Sequence, residues 1–304
     1  MRSTLCLSIT PPVADRVARP NLGHAMLPTM VALSRRPNEP TRRSLAATPF
    51  PPDWRTIIAL DRGFVKLVGN IEVTGAFPAD LRGRPVLVAA NHIGVFDPFV
   101  LVAAFGKIGV DLRFMLAAGL MDAPLVGFFL RRAGHLRVDR GKSNVTEAFT
   151  RAIEQLRRTP GPLLVYPEGR ISHDPGLWPE RGKTGLARMA LLGDIPVVTI
   201  SQWGAHEAVY WGTETVTGPR DFLPLATSFG KALRRRPTFK VHFGDRVDLA
   251  GLSADRPGDA MRAHKRIMQA ITDRLVPLRR SEPDLPRFHD PTRPTDTVSP
   301  WRRS

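Results

Sequence analysis

The 304 residues are 42% hydrophobic, hold a single cysteine and carry a formal net charge of +16. That apolar content suffices for one sizeable core. The lone Cys6 excludes a disulfide framework and a Cys-based metal site, which favours a cytoplasmic compartment. The positive balance calls for anionic partners, whether lipid headgroups, nucleic acid or phosphorylated substrates, without choosing among them.

Residues 1–50 read as a Pro/Arg-rich disordered leader and 281–304 as a Pro-rich disordered tail. The stretches 1–52 and 281–304 together hold 14 of the 29 prolines and lack helical or strand period. The run Leu5–Ile9 is cut by Pro11 and Pro12, so no signal peptide is read. No stretch approaches the roughly 18–20 apolar residues of a membrane-crossing helix.

Within 51–280, Trp54–Val68 has helical spacing of Ile57, Ile58, Leu60, Phe64, Val65 and Val68, fit to dock on the core or on a membrane. Strand-like runs follow at Ile71–Thr74, Val86–Ala90, Leu136–Val138, Leu163–Tyr166, Val197–Ile200 and Phe239–Phe243. The stripe Val145, Ala148, Phe149, Ala152, Ile153 and Leu156 predicts a helix over Ser143–Arg158, with Asn144 and Glu147 as a capping box. Phe114–Leu130, with only Asp122 charged, reads as an acyl-chain or bilayer contact, or as core packing around a helix pair broken at Pro124. Alternating strands and helices predict an α/β fold: one domain with a mixed, largely parallel central sheet flanked by helices.

After Val86–Ala90 the chain reads Asn91-His92-Ile93-Gly94-Val95-Phe96-Asp97-Pro98. On a regular helix, residues five apart are rotated by about 140°, so His92 and Asp97 meet only across a turn, for which Gly94 supplies the freedom. Asp97-Pro98 also fits an N-cap followed by proline at the first helical position, and His92 alone fits an ordinary turn residue.

The string Asn91-His92-x4-Asp97 resembles the Asn-His-x4-Asp motif of the glycerolipid acyltransferase family, which includes the lysophosphatidate acyltransferases. Three further blocks are similar in order: Gly134–Arg140, ending in Val-Asp-Arg; Tyr166-Pro167-Glu168-Gly169-Arg170-Ile171-Ser172; and Gly193–Val198, with Pro196 at a strand entry. The resemblance spans about residues 71–200. It implies O-acyl transfer from acyl-CoA or acyl carrier protein, as co-substrate rather than cofactor, to a lysophospholipid, foremost 1-acylglycerol-3-phosphate. Glycerol-3-phosphate or another lysolipid is the alternative acceptor.

By that resemblance His92 is the general base and Asp97 orients it, Asn91 and Gly94 support the turn, and Arg140, Glu168, Gly169, Arg170 and Lys183 form the acceptor's phosphate site. No metal is expected. Glu168 is left with three readings: orienting an Arg, bonding a substrate hydroxyl or anchoring its loop. The third block departs from the family's Phe-Pro-Glu-Gly-Thr-Arg-Ser, since Arg170 follows Gly169 directly and Ile171 stands in the Arg position; Arg181 or Lys183 would compensate.

Imidazole, with an ordinary pKa near 6.5, suits proton abstraction from a hydroxyl at about neutral pH. A P-loop at Gly182-Lys183-Thr184 fails because position 177 is Leu rather than Gly. A non-catalytic basic module would leave His92 and Asp97 unexplained, and 7% aromatic content gives little base-stacking surface, so no nucleic acid is expected. The basic runs Arg131-Arg132, Arg234–Arg236 and Arg279-Arg280 read instead as attachment to an anionic membrane, peripheral on its inner face.

Overall fold

The computed structural model describes residues 52–122, 124–138, 145–210, 220 and 222–295. The leader over 1–50, the second-block residues Asp139 and Arg140, and the capping residue Asn144 lie outside these.

Seven strands build one sheet: β1 (Asn70–Gly75), β2 (Val86–Ala90), β3 (Arg113–Ala117), β4 (Leu136–Val138), β5 (Pro162–Val165), β6 (Val197–Trp203) and β7 (Thr238–Arg246). Their order is β1-β7-β6-β2-β5-β3-β4, and every neighbouring pair is parallel except β6 with β7. The fold is therefore α/β, mixed and mostly parallel, with helices on both faces.

Central strands of such a sheet are buried on both sides and read as unbroken apolar runs. In β2, Val86, Val88 and Ala90 face one layer and Leu87 and Ala89 the other. The first layer holds α1 (Pro52–Val68), α2 (Asp97–Lys107) and α7 (Phe222–Arg235), with Val65, Leu101 and Ala232 among its buried residues. The second holds α5 (Val145–Arg158), α6 (Gly185–Gly193) and α8 (Asp259–Leu278), through Leu156, Leu186 and Ile267.

Helix α1 carries apolar residues on two faces. Trp54, Ile58, Val65 and Val68 are buried, whereas Leu60, Phe64 and Leu67 are 69%, 37% and 59% exposed. The docked face follows helical period as expected, and the second stripe stays open to solvent.

Three expectations are corrected. Arg113–Ala117 is a strand that runs into α3 (Ala118–Asp122), followed by α4 (Pro124–Arg132), so the stretch read as a helix pair begins in the sheet. A five-residue strand joined to an apolar helix has no period of its own to mark it. Asp97 is not the cap: Phe96 occupies that place, and α2 starts at Asp97 with Pro98 in its first turn. Residues 281–295 are not a loose tail but pack on the domain, with Asp290 buried and Arg293 bonded to the loops after β2 and β5.

No helix among the described residues is long and apolar enough to cross a membrane. All three basic runs have structural partners, Arg131 donating to the Met121 carbonyl. Arg236 donates to the carbonyls of Lys66 and Leu67 at the end of α1, at 3.0 and 3.2 Å. Arg279 is fully buried, its guanidinium lying 4.0 and 4.2 Å from the ring centres of Trp178 and Trp203.

Candidate active site

Strands β2, β5 and β6 run parallel, so their carboxyl ends release Asn91, Tyr166 and Gly204 on one edge of the sheet, where open α/β folds place their ligands. Asn91 is fully buried and clamped to β6: its side chain donates to Gln202 O at 3.0 Å and accepts Gln202 N–H at 2.8 Å. Gln202 Nε2 returns a bond to Asn91 O at 2.9 Å. The chain thus leaves the sheet in a fixed direction just before His92.

The turn closes on Asp97. Asp97 Oδ2 lies 2.8 Å from His92 Nδ1 and accepts the backbone N–H of Ile93 at 2.6 Å and of Gly94 at 3.1 Å. The carboxylate therefore reaches back over the turn instead of capping the helix ahead of it. Asp97 is fully buried, and its Oδ1 has no partner. Because a carboxylate only accepts, the pairing assigns the proton to His92 Nδ1 and leaves Nε2 with a lone pair. Gly94 sits in a close approach: a Cβ there would stand 3.3 Å from His206 Cα, so that backbone would have to give by a few tenths of an ångström.

The third block packs onto the same histidine. The Tyr166 ring stacks on the His92 ring at 3.9 Å and 9°. Its hydroxyl is buried without a partner, and burial together with the charges of Asp97 and Glu168 raises its pKa well above the ordinary phenol value. Glu168 Oε1 accepts His92 N–H at 2.8 Å and Oε2 accepts Glu180 N–H at 2.9 Å. Burial pushes the Glu168 carboxyl up to about 8, against those two hydrogen bonds, which pull it down. Both carboxylate oxygens of Glu168 thus hold loop backbone, one from the turn after β2 and one from the loop after β5.

The remaining predicted residues are only partly gathered. Gly169 has φ +74°, a left-handed conformation that glycine tolerates best, and the Lys183 stem would lie 3.6 Å from a Cβ placed there. Lys183 N–H is fixed to Pro167 O at 2.8 Å, and its side chain is exposed. Arg170 is forked onto Glu180, at 2.9 and 3.1 Å, instead of standing open toward His92. Arg140 lies outside the described residues.

Four participants escaped the sequence reading of the site: Tyr166, Ser172, Gln202 and Arg293. Ser172 N–H donates to His92 O at 2.8 Å. Gln202 had one signal, a polar side chain in a strand whose residues are all buried. Arg293 had none, since it follows a proline-rich stretch far from the motif.

Taken together, a part-exposed His held by a buried Asp at the end of the central strand of an α/β sheet is an arrangement able to abstract a proton, as transferases and hydrolases require. Residues 70–203 match the family model described as Acyltransferase. The chain is 25% identical over 157 residues to a 1-acyl-sn-glycerol-3-phosphate acyltransferase of Saccharomyces cerevisiae, covering 51% of this chain and 48% of that protein. It is 26% identical over 209 residues to a lyso-ornithine lipid O-acyltransferase of Pseudomonas aeruginosa, covering 68% of this chain and 74% of that one.

The crystal structure of the 1-acyl-sn-glycerophosphate (LPA) acyltransferase from Thermotoga maritima shares the fold, with a TM-score of 0.51 and 19% identity over 75% of this chain and 82% of that one. The matched segment is similar to glycerolipid acyltransferases. The match spans about half the length of the yeast relative.

Proposed function

We propose that the protein transfers a fatty acyl group from acyl-CoA or acyl carrier protein to the free hydroxyl of a lysophospholipid, foremost 1-acylglycerol-3-phosphate. The observation that carries this reading is the His92–Asp97 pair at 2.8 Å, with His92 Nε2 left as the base. The acceptor hydroxyl gives its proton to Nε2 as its oxygen attacks the thioester carbonyl. The tetrahedral intermediate then expels the thiolate, which takes the proton back from the imidazolium. Asp97 holds the tautomer and balances the transient positive charge. The chemistry needs no cofactor, and no nucleophilic side chain intervenes.

An anionic membrane at the inner face of the cell membrane is the proposed partner surface. Leu60, Phe64 and Leu67 of α1 form an exposed apolar stripe, with Val95 and Phe99 exposed around the start of α2. Arg62 and Lys66 are exposed on α1 and suit anionic headgroups. Phe64 links the two helices, its ring centre 5.8 Å from that of Phe99.

A second acceptor is favoured by one observation. Arg170 is engaged by Glu180, so a phosphate would have to draw the guanidinium away from that carboxylate. A lysolipid whose headgroup lacks a phosphomonoester, such as lyso-ornithine lipid, suits that arrangement.

Purified protein assayed with acyl-CoA and acyl carrier protein against a panel of lysolipids tests the reading. Transfer should fall about 10²–10⁴-fold in His92→Ala. Undiminished transfer by that variant would refute the mechanism, and vesicle binding with no transfer by the wild type would refute the activity.

A further inference from the structure

The two peptide groups that hold Asp97 are themselves held at their far ends. The peptide carrying Ile93 N–H has the His92 carbonyl at its other end, and that carbonyl accepts Ser172 N–H at 2.8 Å. The peptide carrying Gly94 N–H has the Ile93 carbonyl at its other end, and that carbonyl accepts a hydrogen bond from the Arg293 guanidinium. A second nitrogen of the same guanidinium donates to Ser172 O at 2.9 Å. Arg293 therefore ties the loop after β2 to the loop after β5, and both loops bear on His92.

Arg293 comes from the C-terminal segment, well beyond the family-matched residues 70–203. The segment is fastened at its start by Arg279, whose guanidinium lies between Trp178 and Trp203 and also donates to Gly176 O and Glu282 O. Near its end, Asp290 Oδ1 accepts Thr292 N–H at 2.9 Å and Thr292 Oγ1–H at 2.6 Å, which shapes the turn presenting Arg293. Burial lowers the Arg293 pKa while Asp290 and Asp97 oppose that, so the cation lies within the field of the catalytic carboxylate.

We infer that Arg293 is a positioning residue of the acyl-transfer site, acting through peptide 93–94 to keep Gly94 N–H on Asp97 Oδ2 and the imidazole aimed at the acceptor. This rests on the reading above. A carbonyl that accepts a hydrogen bond polarises its own peptide, so the N–H at the other end becomes a better donor. The guanidinium fork also fixes the spacing of two loops in a way that the single ammonium of lysine cannot. A tail anchor with no bearing on the site would lower stability and leave turnover alone.

The test uses the full chain as wild type, Arg293→Ala and Arg293→Lys, assayed with acyl-CoA and lysophosphatidate in mixed vesicles alongside hydrogen exchange by mass spectrometry. In Arg293→Ala, kcat falls on the order of 10–100-fold, the loss a misplacement of about 1 Å brings. Both KM values stay within about twofold, because binding groups are untouched. Arg293→Lys recovers part of the loss. Exchange rises in peptides covering 91–97 and 168–174, while β6 keeps its wild-type protection.

Wild-type kcat in Arg293→Ala, a loss confined to KM, or unchanged exchange in those two loops would each overturn the inference. A wild type that transfers no acyl group instead overturns the acyl-transfer reading, and the exchange comparison still decides whether Arg293 holds the loops.

Discussion

His92 Nδ1 and Asp97 Oδ2 stand 2.8 Å apart, and the same oxygen takes the amides of Ile93 and Gly94. Three donors on one carboxylate oxygen mean that Asp97 shapes the turn as well as the imidazole. An asparagine can present its carbonyl oxygen to the same donors, with its NH2 in the place of the unpartnered Oδ1. In Asp97→Asn we therefore expect the fold to persist and kcat to drop about 10²–10⁴-fold, through lost stabilisation of the imidazolium. Thermal melts beside steady-state kinetics check this; a collapsed melting temperature, or retained kcat, contradicts it.

Asn91 should behave differently. It is fully buried and makes three hydrogen bonds with Gln202, counting its backbone carbonyl. Asn91→Leu keeps the volume but strands Gln202 N–H and Gln202 O without partners. Each orphaned group costs about 1–3 kcal/mol, so the denaturation midpoint should fall well before any effect on chemistry is separable. Urea titration of the variant reads this directly, and an unchanged midpoint would show that the clamp contributes nothing.

The contrast between Asn91 and Arg293 shows what the sequence could carry. The likeness of Asn91-His92-x4-Asp97 to a family motif paired His92 with Asp97, and Gly94 marked the turn between them. The strands that present them were visible because buried parallel strands are unbroken apolar runs. The strand Arg113–Ala117 was hidden because it flows into a helix of the same apolar character. Partners of Glu168 and Arg293 were invisible because they are backbone groups, His92 N–H and Ile93 O, which have no residue identity to read. The pairing of Arg170 with Glu180 was missed for another reason: both residues suit a solvated loop equally well.

Glu168 makes stability depend on pH. Its folded-state pKa is about 8 against an ordinary 4.5, because burial penalises the charged form. A raised folded value means that the native state holds the proton more tightly. Its contribution is therefore complete below the unfolded pKa and is lost as pH rises through the folded one. Wild-type stability should decline between about pH 5 and 9, by a few kcal/mol at most, and Glu168→Gln should flatten the slope. The cost of turning an amide NH2 toward a backbone N–H shifts that variant's curve equally at all pH values. Parallel slopes for the two proteins would sink the assignment.

Arg170 distinguishes the two acceptors. If a phosphomonoester draws the guanidinium away from Glu180, Arg170→Ala raises KM for lysophosphatidate about tenfold or more, the loss of a charge-assisted fork. Lyso-ornithine lipid should then be used almost unchanged by the variant. If both acceptors keep their KM values, Arg170 serves only the loop it shares with Glu180, and the phosphate must be met elsewhere, with Arg140 and Lys183 next to be replaced.

The exposed stripe of α1 makes a prediction independent of the chemistry. Phe64 packs on Phe96 and Phe229, so replacing it would disturb the core. Leu60 and Leu67 are 69% and 59% exposed and can be changed without that penalty. Full burial of a leucine contributes about 1.5–3 kcal/mol, so Leu60→Ser with Leu67→Ser should weaken vesicle partitioning on the order of 10–100-fold, allowing for incomplete insertion. Activity on a short-chain, water-soluble acceptor should be retained, because neither side chain contacts His92. Sedimentation with vesicles of phosphatidylglycerol and phosphatidylethanolamine measures the partitioning. Should the double variant bind them as the wild type does, the membrane meets another face of the protein.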